Sequence, residues 1–153
     1  TPDDIDRVLE DVAAVIRDRL PPSGLTQEEL LARPSWAGPH QFVLIDDEHE
    51  LRAGGVVGKQ AATAPLWNLI ERGREVGLHV IAARLPGNWA GVSAMSPFLQ
   101  KLSGSRAPTL FMDNDPQVVK VFGRTSAQQL PPGRGLLVST DGVMEGVLVG
   151  TPE

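Results

Sequence analysis

Phe42-Val43-Leu44-Ile45 runs without alternation into Asp46-Asp47, and no other stretch limits the fold so sharply. A strand that is apolar at every position has both faces covered, which is the habit of parallel sheets flanked by helices. Carboxylates just past such a strand lie at the edge of the sheet where α/β proteins bind ligands. With 153 residues, the chain is long enough for one domain of this kind with a sizeable core.

The remaining pattern agrees. Thr1-Pro2-Asp3-Asp4 starts a helix with a capping hydroxyl, a proline in the first turn and acids at the positive end of the dipole. Ile5, Val8, Leu9, Val12, Val15 and Ile16 follow at helical spacing and predict a buried stripe, stopped by Pro21-Pro22. Val12→Asp is therefore expected to unfold the domain, and Arg17→Asp, on the opposite face, to be tolerated. Thr26 and Glu29 form a capping box, with Leu25 and Leu30 placed as a hydrophobic staple, for a short helix to about Ala32. After the strand Phe42 to Asp46, a helix is expected over Thr63 to Arg74, closed by Gly77, then a second buried strand over Leu78 to Ala83. Ser96-Pro97 caps a short helix ending at Gly104, and Thr109 to Met112 reads as a third strand. Asp115-Pro116 opens a further helix over Val118, Val119, Val121 and Phe122, stopped at Gly123. Leu136 to Thr140 and Val143 to Val149 flank Asp141-Gly142, a two-residue hairpin turn with positive φ expected at both positions. Helices alternating with apolar strands and closed by an antiparallel hairpin give a three-layer α/β domain.

Composition narrows the function. Cysteine is absent, which excludes disulfides, thiolate chemistry and cysteine metal sites. A formal net charge of -5 without a basic run is a poor match to a surface that grips DNA phosphates. No apolar run approaches the roughly 20 residues of a membrane helix. His40, His49 and His79 lack the helical spacing of a histidine metal site. The first residue is Thr1 rather than Met, so a processed chain or an excised fragment is expected.

Two machines write an apolar strand ending in paired acids. A phosphate-receiving signalling domain would need a phosphoacceptor aspartate roughly 40 residues later, but no aspartate stands between Asp47 and Asp113. An NTP-driven motor uses the same line as its Walker B strand. There Asp46 would hold the Mg²⁺ that bridges the β- and γ-phosphates, and Asp47 would orient the attacking water. Asp is one methylene shorter than the Glu that many motors use at the second place. Such a site also needs a P-loop, G-x-x-x-x-G-K followed by Ser or Thr. The nearest match, Ala53 to Gln60, has Ala53 for the first glycine and Gln60 for the hydroxyl, and it follows the acids instead of preceding them. The P-loop is therefore expected to lie upstream, outside this chain.

Four stretches carry a family resemblance: "RLPPSGLTQEELLARPSW", "GPHQFVLIDDEHEL", "REVGLHVIAAR" and "LPPGRGLLV". In this order they resemble the C-terminal part of an FtsK/SpoIIIE-type ATPase domain of EccC, the motor of actinobacterial type VII (ESX) secretion. The resemblance implies a P-loop NTPase-like (RecA/ASCE-type) three-layer parallel sheet whose upstream half is missing. It implies ATP and Mg²⁺ as ligands once that half is present. The implied partners are WXG100-type substrates and neighbouring ATPase domains or subunits, a hexamer in the assembled motor. Other parts of such a protein anchor it on the cytoplasmic face of the membrane. Domains beyond the first in EccC proteins often have degenerate nucleotide sites, so a non-hydrolysing docking domain for signal peptides or neighbouring domains is the alternative. A fragment of an FtsK-like DNA translocase is the third reading, disfavoured by the acidic composition.

Further candidate residues follow from position. Arg84 ends the second strand, where motors of this class place a polar sensor for the γ-phosphate, although strand-end charges are common on any surface. Arg134 lies in "PPGRG", a loop stiff enough to offer a guanidinium to a phosphate or a neighbouring subunit, or simply a turn into the hairpin. Trp67 reads as core and Trp89, in a Pro/Gly loop, as either a ligand contact or a plug.

Overall fold

The computed structural model describes residues 2–51, 61–85, 96–113, 120–121, 125–126 and 128–150. They fall into two compact units, Thr1–Arg84 and Leu85–Glu153.

In the first unit, helix α1 (Pro2–Arg19) buries Leu9, Ala13 and Ile16. The apolar stripe read from the sequence is thus centred differently. Ile5, Val8 and Val15 are exposed and Val12 is only half-buried, while Ala13 is fully buried. The buried row packs against a 3₁₀ turn, Ala64–Leu66, whose Leu66 is also fully buried. The short helix α2 (Gln27–Leu31) has the expected capping box: Thr26 N–H donates to Glu29 Oε2 at 2.7 Å and Glu29 N–H to Thr26 Oγ1 at 3.3 Å. The bond from the Thr26 amide, and then that from its hydroxyl, hold the Glu29 carboxyl below its ordinary pKa. No residue of α2 is buried and Leu30 is exposed, so capping rather than a staple makes this turn.

The helix expected over Thr63 to Arg74 is broken into Ala64–Leu66, α3 (Ile70–Gly73) and a second 3₁₀ turn, Arg74–Val76. Pro65 sits in the first turn, where its missing amide costs no helical bond, and the interruption falls after it, at residues 67–69. Trp67 donates its indole N–H to the buried Thr63 hydroxyl at 3.2 Å. Leu66, Leu69 and Val76 still face the core. Gly77 ends this run, as the sequence implies, and does so in the left-handed region, φ 85°. A Cβ there would stand 2.7 Å from the Trp36 indole nitrogen. That indole donates to the Pro39 carbonyl at 3.3 Å, and the Arg19 guanidinium sits 4.9 Å from the ring centre. Gly77→Ala combines left-handed strain with this clash and is expected to cost about 2 kcal/mol. A thermal melt checks it; an unchanged midpoint would show that Trp36 gives way freely.

Strands β1 (Gln41–Ile45) and β2 (Leu78–Ala82) pair in parallel, Gln41 opposite Leu78 through Ile45 opposite Ala82. Val43 and Ile45 are buried, whereas Phe42, Leu44 and Ile81 are exposed. The sequence reads as covered on both faces, but within the described residues only one face of β1 is covered. A groove of about 480 Å³ runs between α1 and β1, lined by Ile5, Val8, Val12, Phe42, Leu44 and Leu51 among others.

The second unit holds α4 (Pro97–Gly104), capped by the Ser96 hydroxyl and buried through Phe98 and Leu99. Strand β3 (Thr109–Phe111) follows, then two-residue strands β4 (Lys120–Val121) and β5 (Thr125–Ser126). β4 and β5 pair antiparallel, which overturns the helix expected up to Gly123 at this point. Val121 and Thr125 are β-branched and suit the pairing; the helix start at Asp115 lies outside the described residues. Strands β6 (Arg134–Val138) and β7 (Met144–Leu148) complete a three-stranded antiparallel sheet in the order β3-β6-β7. The hairpin is present, but its turn differs from the one read in the sequence. Gly142 alone has positive φ (85°), the Gly142 amide donates to the Ser139 carbonyl at 2.9 Å, and Ser139 N–H meets the Val143 carbonyl at 3.0 Å. This is a three-residue loop ending in a left-handed glycine. Asp141 spends its side chain on the Ser139 hydroxyl at 2.5 Å and the Val143 amide at 3.2 Å, bonds that lower its pKa in that order.

Candidate functional site at the strand ends

The paired acids stand at the C-terminal end of β1. Asp46 Oδ1 accepts the Asp47 amide at 3.1 Å, and both residues are exposed. Asp47 takes φ 50°, a left-handed conformation that aspartate tolerates better than most residues. The strand thus ends in a local kink at Asp47. The ladder continues past the strands, with Ala83 N–H donating to the Ile45 carbonyl at 2.8 Å and Glu48 N–H to the Ala83 carbonyl at 2.9 Å.

Glu48 then opens a 3₁₀ turn, Glu48–Leu51, with its side chain directed inward. It is 2 % exposed and receives the Arg84 guanidinium at 2.9 Å. The expected phosphate sensor is thus found holding a carboxylate. His49 follows, half-buried; its Nδ1 is buried without a hydrogen bond, 4.0 Å from Asp47 Oδ1, while Nε2 lies 3.6 Å from Glu50 Oε1.

Asp46, Asp47 and Arg84 are accordingly gathered at one end of the β1–β2 pair. Arg134 is exposed at the start of β6, in the second unit. The Ala53–Gln60 loop and Trp89 lie outside the described residues. Sequence reading missed Glu48 and His49. Register could have found the first: with Ile45 opposite Ala82, residues 48 and 84 both follow closely on paired strand ends. At the other end of the pair, His40 Nδ1 and His79 Nε2 lie 2.7 Å apart, and Phe42 stacks on His79 at 4.6 Å. A search for helical histidine spacing cannot detect such a cross-strand meeting.

Among the described residues no three potential metal-ligating side chains converge. Asp46 alone fits Mg²⁺, which keeps several waters and takes one or two carboxylates together with substrate phosphates.

No protein-family model matches the chain. Over 139 residues it is 38 % identical to the ESX-5 secretion system protein EccC5 of Mycobacterium marinum, a match covering 91 % of this chain and 10 % of that protein. The chain is a homologue of the EccC proteins of ESX secretion systems. Among solved structures, an ATPase aligns at TM-score 0.75 and 35 % identity, over 98 % of this chain and 53 % of its own. Thermomonospora curvata EccC (ATPases 2 and 3) in complex with a signal sequence peptide aligns at TM-score 0.81 and 27 % identity, over 100 % of this chain and 26 % of its own. The α/β P-loop ATPase class read from the sequence is therefore the fold of this EccC homologue. The chain spans about a tenth of the length of the first curated relatives it matches. Among the described residues no helix is long and apolar enough to cross a membrane.

Proposed function

We propose that this chain is the C-terminal portion of one ATPase domain in a type VII secretion motor and carries that domain's Walker B strand. The observation that supports this most is the pair Asp46-Asp47, exposed at the C-terminal end of a parallel strand, with Asp47 in the left-handed region. Asp46, first past the strand, would hold Mg²⁺ through one carboxylate. Asp47, one residue further, would orient or deprotonate the attacking water. When bound, Mg²⁺·ATP supplies the phosphoryl group and the neutralising charge. The upstream half of the domain would bring the P-loop lysine and amides, and would cover the exposed Phe42, Leu44 and Ile81 face. In the assembled motor, on the cytoplasmic face of the membrane, the domain would meet neighbouring ATPase domains or subunits, as a hexamer, and couple nucleotide turnover to export of WXG100-type substrates.

A docking role is the second reading. It is favoured by the Arg84–Glu48 ion pair, which occupies the expected sensor, and by the peptide-bound state of the Thermomonospora curvata relative.

Calorimetric titration with Mg²⁺·ATP tests the proposal. The longer protein carrying this chain should bind with micromolar affinity, and residues 1–153 alone should show no measurable heat of binding, because the phosphate cradle is elsewhere. Micromolar binding by this chain alone would overturn that division of labour. No binding by the longer protein would leave docking as the function.

A further inference from the structure

Glu48 is the only charged residue among those described that is buried. Its carboxylate meets Arg84 at 2.9 Å, and the Arg84 side chain is itself 11 % exposed. Removing two charges from water to form such a pair gives little net stability compared with apolar side chains of the same volume. Its placement is more informative. Glu48 is held by its side chain to Arg84 and by its amide to the Ala83 carbonyl, so β2's end grips it twice. Ile45, two residues before Asp47, is fixed in the sheet and accepts the Ala83 amide. Asp47 lies just before the Glu48 anchor and closes the gap at φ 50°. Left-handed conformations of residues other than glycine persist where the surroundings over-determine them.

We propose that Glu48 and Arg84 form a clamp that keeps Asp47 left-handed and so fixes the direction of the Asp46 and Asp47 carboxylates. Both are positioning residues, and Arg84 serves Glu48 rather than a nucleotide phosphate. The inference rests on reading Asp46-Asp47 as the metal and water acids of an ATPase site.

The clamp and a phosphate sensor predict different mutant patterns. In the longer protein, Glu48→Gln and Arg84→Met should each raise the Mg²⁺ concentration needed for half-maximal ATP binding by about tenfold or more, as loss of an orienting partner does at metal sites. The double variant should be no worse than either single one, because both remove the same clamp. Hydrogen exchange, measured without nucleotide, should show residues 46–51 losing protection in both single variants while α1 keeps its own. Where Arg84→Met fails to fold, Arg84→Lys should shift the Mg²⁺ midpoint in the same direction by less. An unchanged Mg²⁺ midpoint in Glu48→Gln, with loss of ATP affinity at saturating Mg²⁺ confined to Arg84→Met, would overturn the clamp in favour of a sensor. If the wild type binds no Mg²⁺·ATP, the ATPase reading fails separately. Hydrogen exchange then decides the clamp alone: lost protection in both variants sustains it, and unchanged protection overturns it.

Discussion

Ile16→Asp is expected to unfold the Thr1–Arg84 unit. Ile16 is fully buried on α1 in the same row as Leu9 and Ala13, packed toward the 3₁₀ turn that carries Leu66. An aspartate there finds no described cation in the row and must either ionise without a partner or take up a proton. Either outcome costs about 4 kcal/mol or more, within reach of the whole stability of a small domain. Arg17→Asp, one residue on, is the control. Arg17 is exposed and pairs with Glu10 at 3.4 Å, with both side chains at least half exposed. Losing that pair and placing an acid near the helix C-terminus should together cost about 1 kcal/mol. Urea unfolding followed by circular dichroism separates the two. Equal midpoints would mean that α1 does not pack on the unit at all. Val12→Asp, the substitution suggested by sequence spacing, is a weaker probe, because Val12 lines the open groove and is only half-buried.

The second large effect concerns turnover. In the longer protein, Asp47→Asn should lower the rate of ATP hydrolysis by about 10²–10⁴-fold, the usual contribution of a positioned base, while ATP binding stays within about threefold because phosphate affinity comes mainly from the P-loop amides and lysine. Asparagine is chosen because it accepts the left-handed conformation that Asp47 adopts, so only the charge is removed. Steady-state hydrolysis with binding measured in parallel provides the readout. An unchanged rate would remove Asp47 from the water role and shift weight to docking.

What could be read in the sequence was local. The strand before Asp46, the capping box of Thr26 and Glu29 and the stop at Gly77 each follow from a few neighbouring residues, and each recurs in the fold. What could not be read depended on distant partners. Ala13 carries too little apolar area to mark a stripe by itself, yet it is the small residue that lies fully buried on α1. The Thr63–Arg74 segment has helical spacing, but turns at residues 67–69 divide it where no proline or glycine marks the break. Val121 fits either an amphipathic helix or a strand, and its pairing with Thr125 decides between them. At the candidate site, the position of the two acids was legible because they follow directly on a strand. The Arg84–Glu48 pair was not, because it depends on strand register, and an arginine at a strand end reads alone as a sensor or a surface charge.

The most direct test of the central claim is calorimetric titration of Mg²⁺·ATP into the longer protein and its Asp46→Ala variant. If Asp46 is the Walker B metal acid, the wild type binds in a Mg²⁺-dependent manner, and the variant loses that dependence, binding no better with Mg²⁺ than with EDTA. Equal, fully Mg²⁺-dependent binding by both proteins would contradict the account and place the metal on other residues.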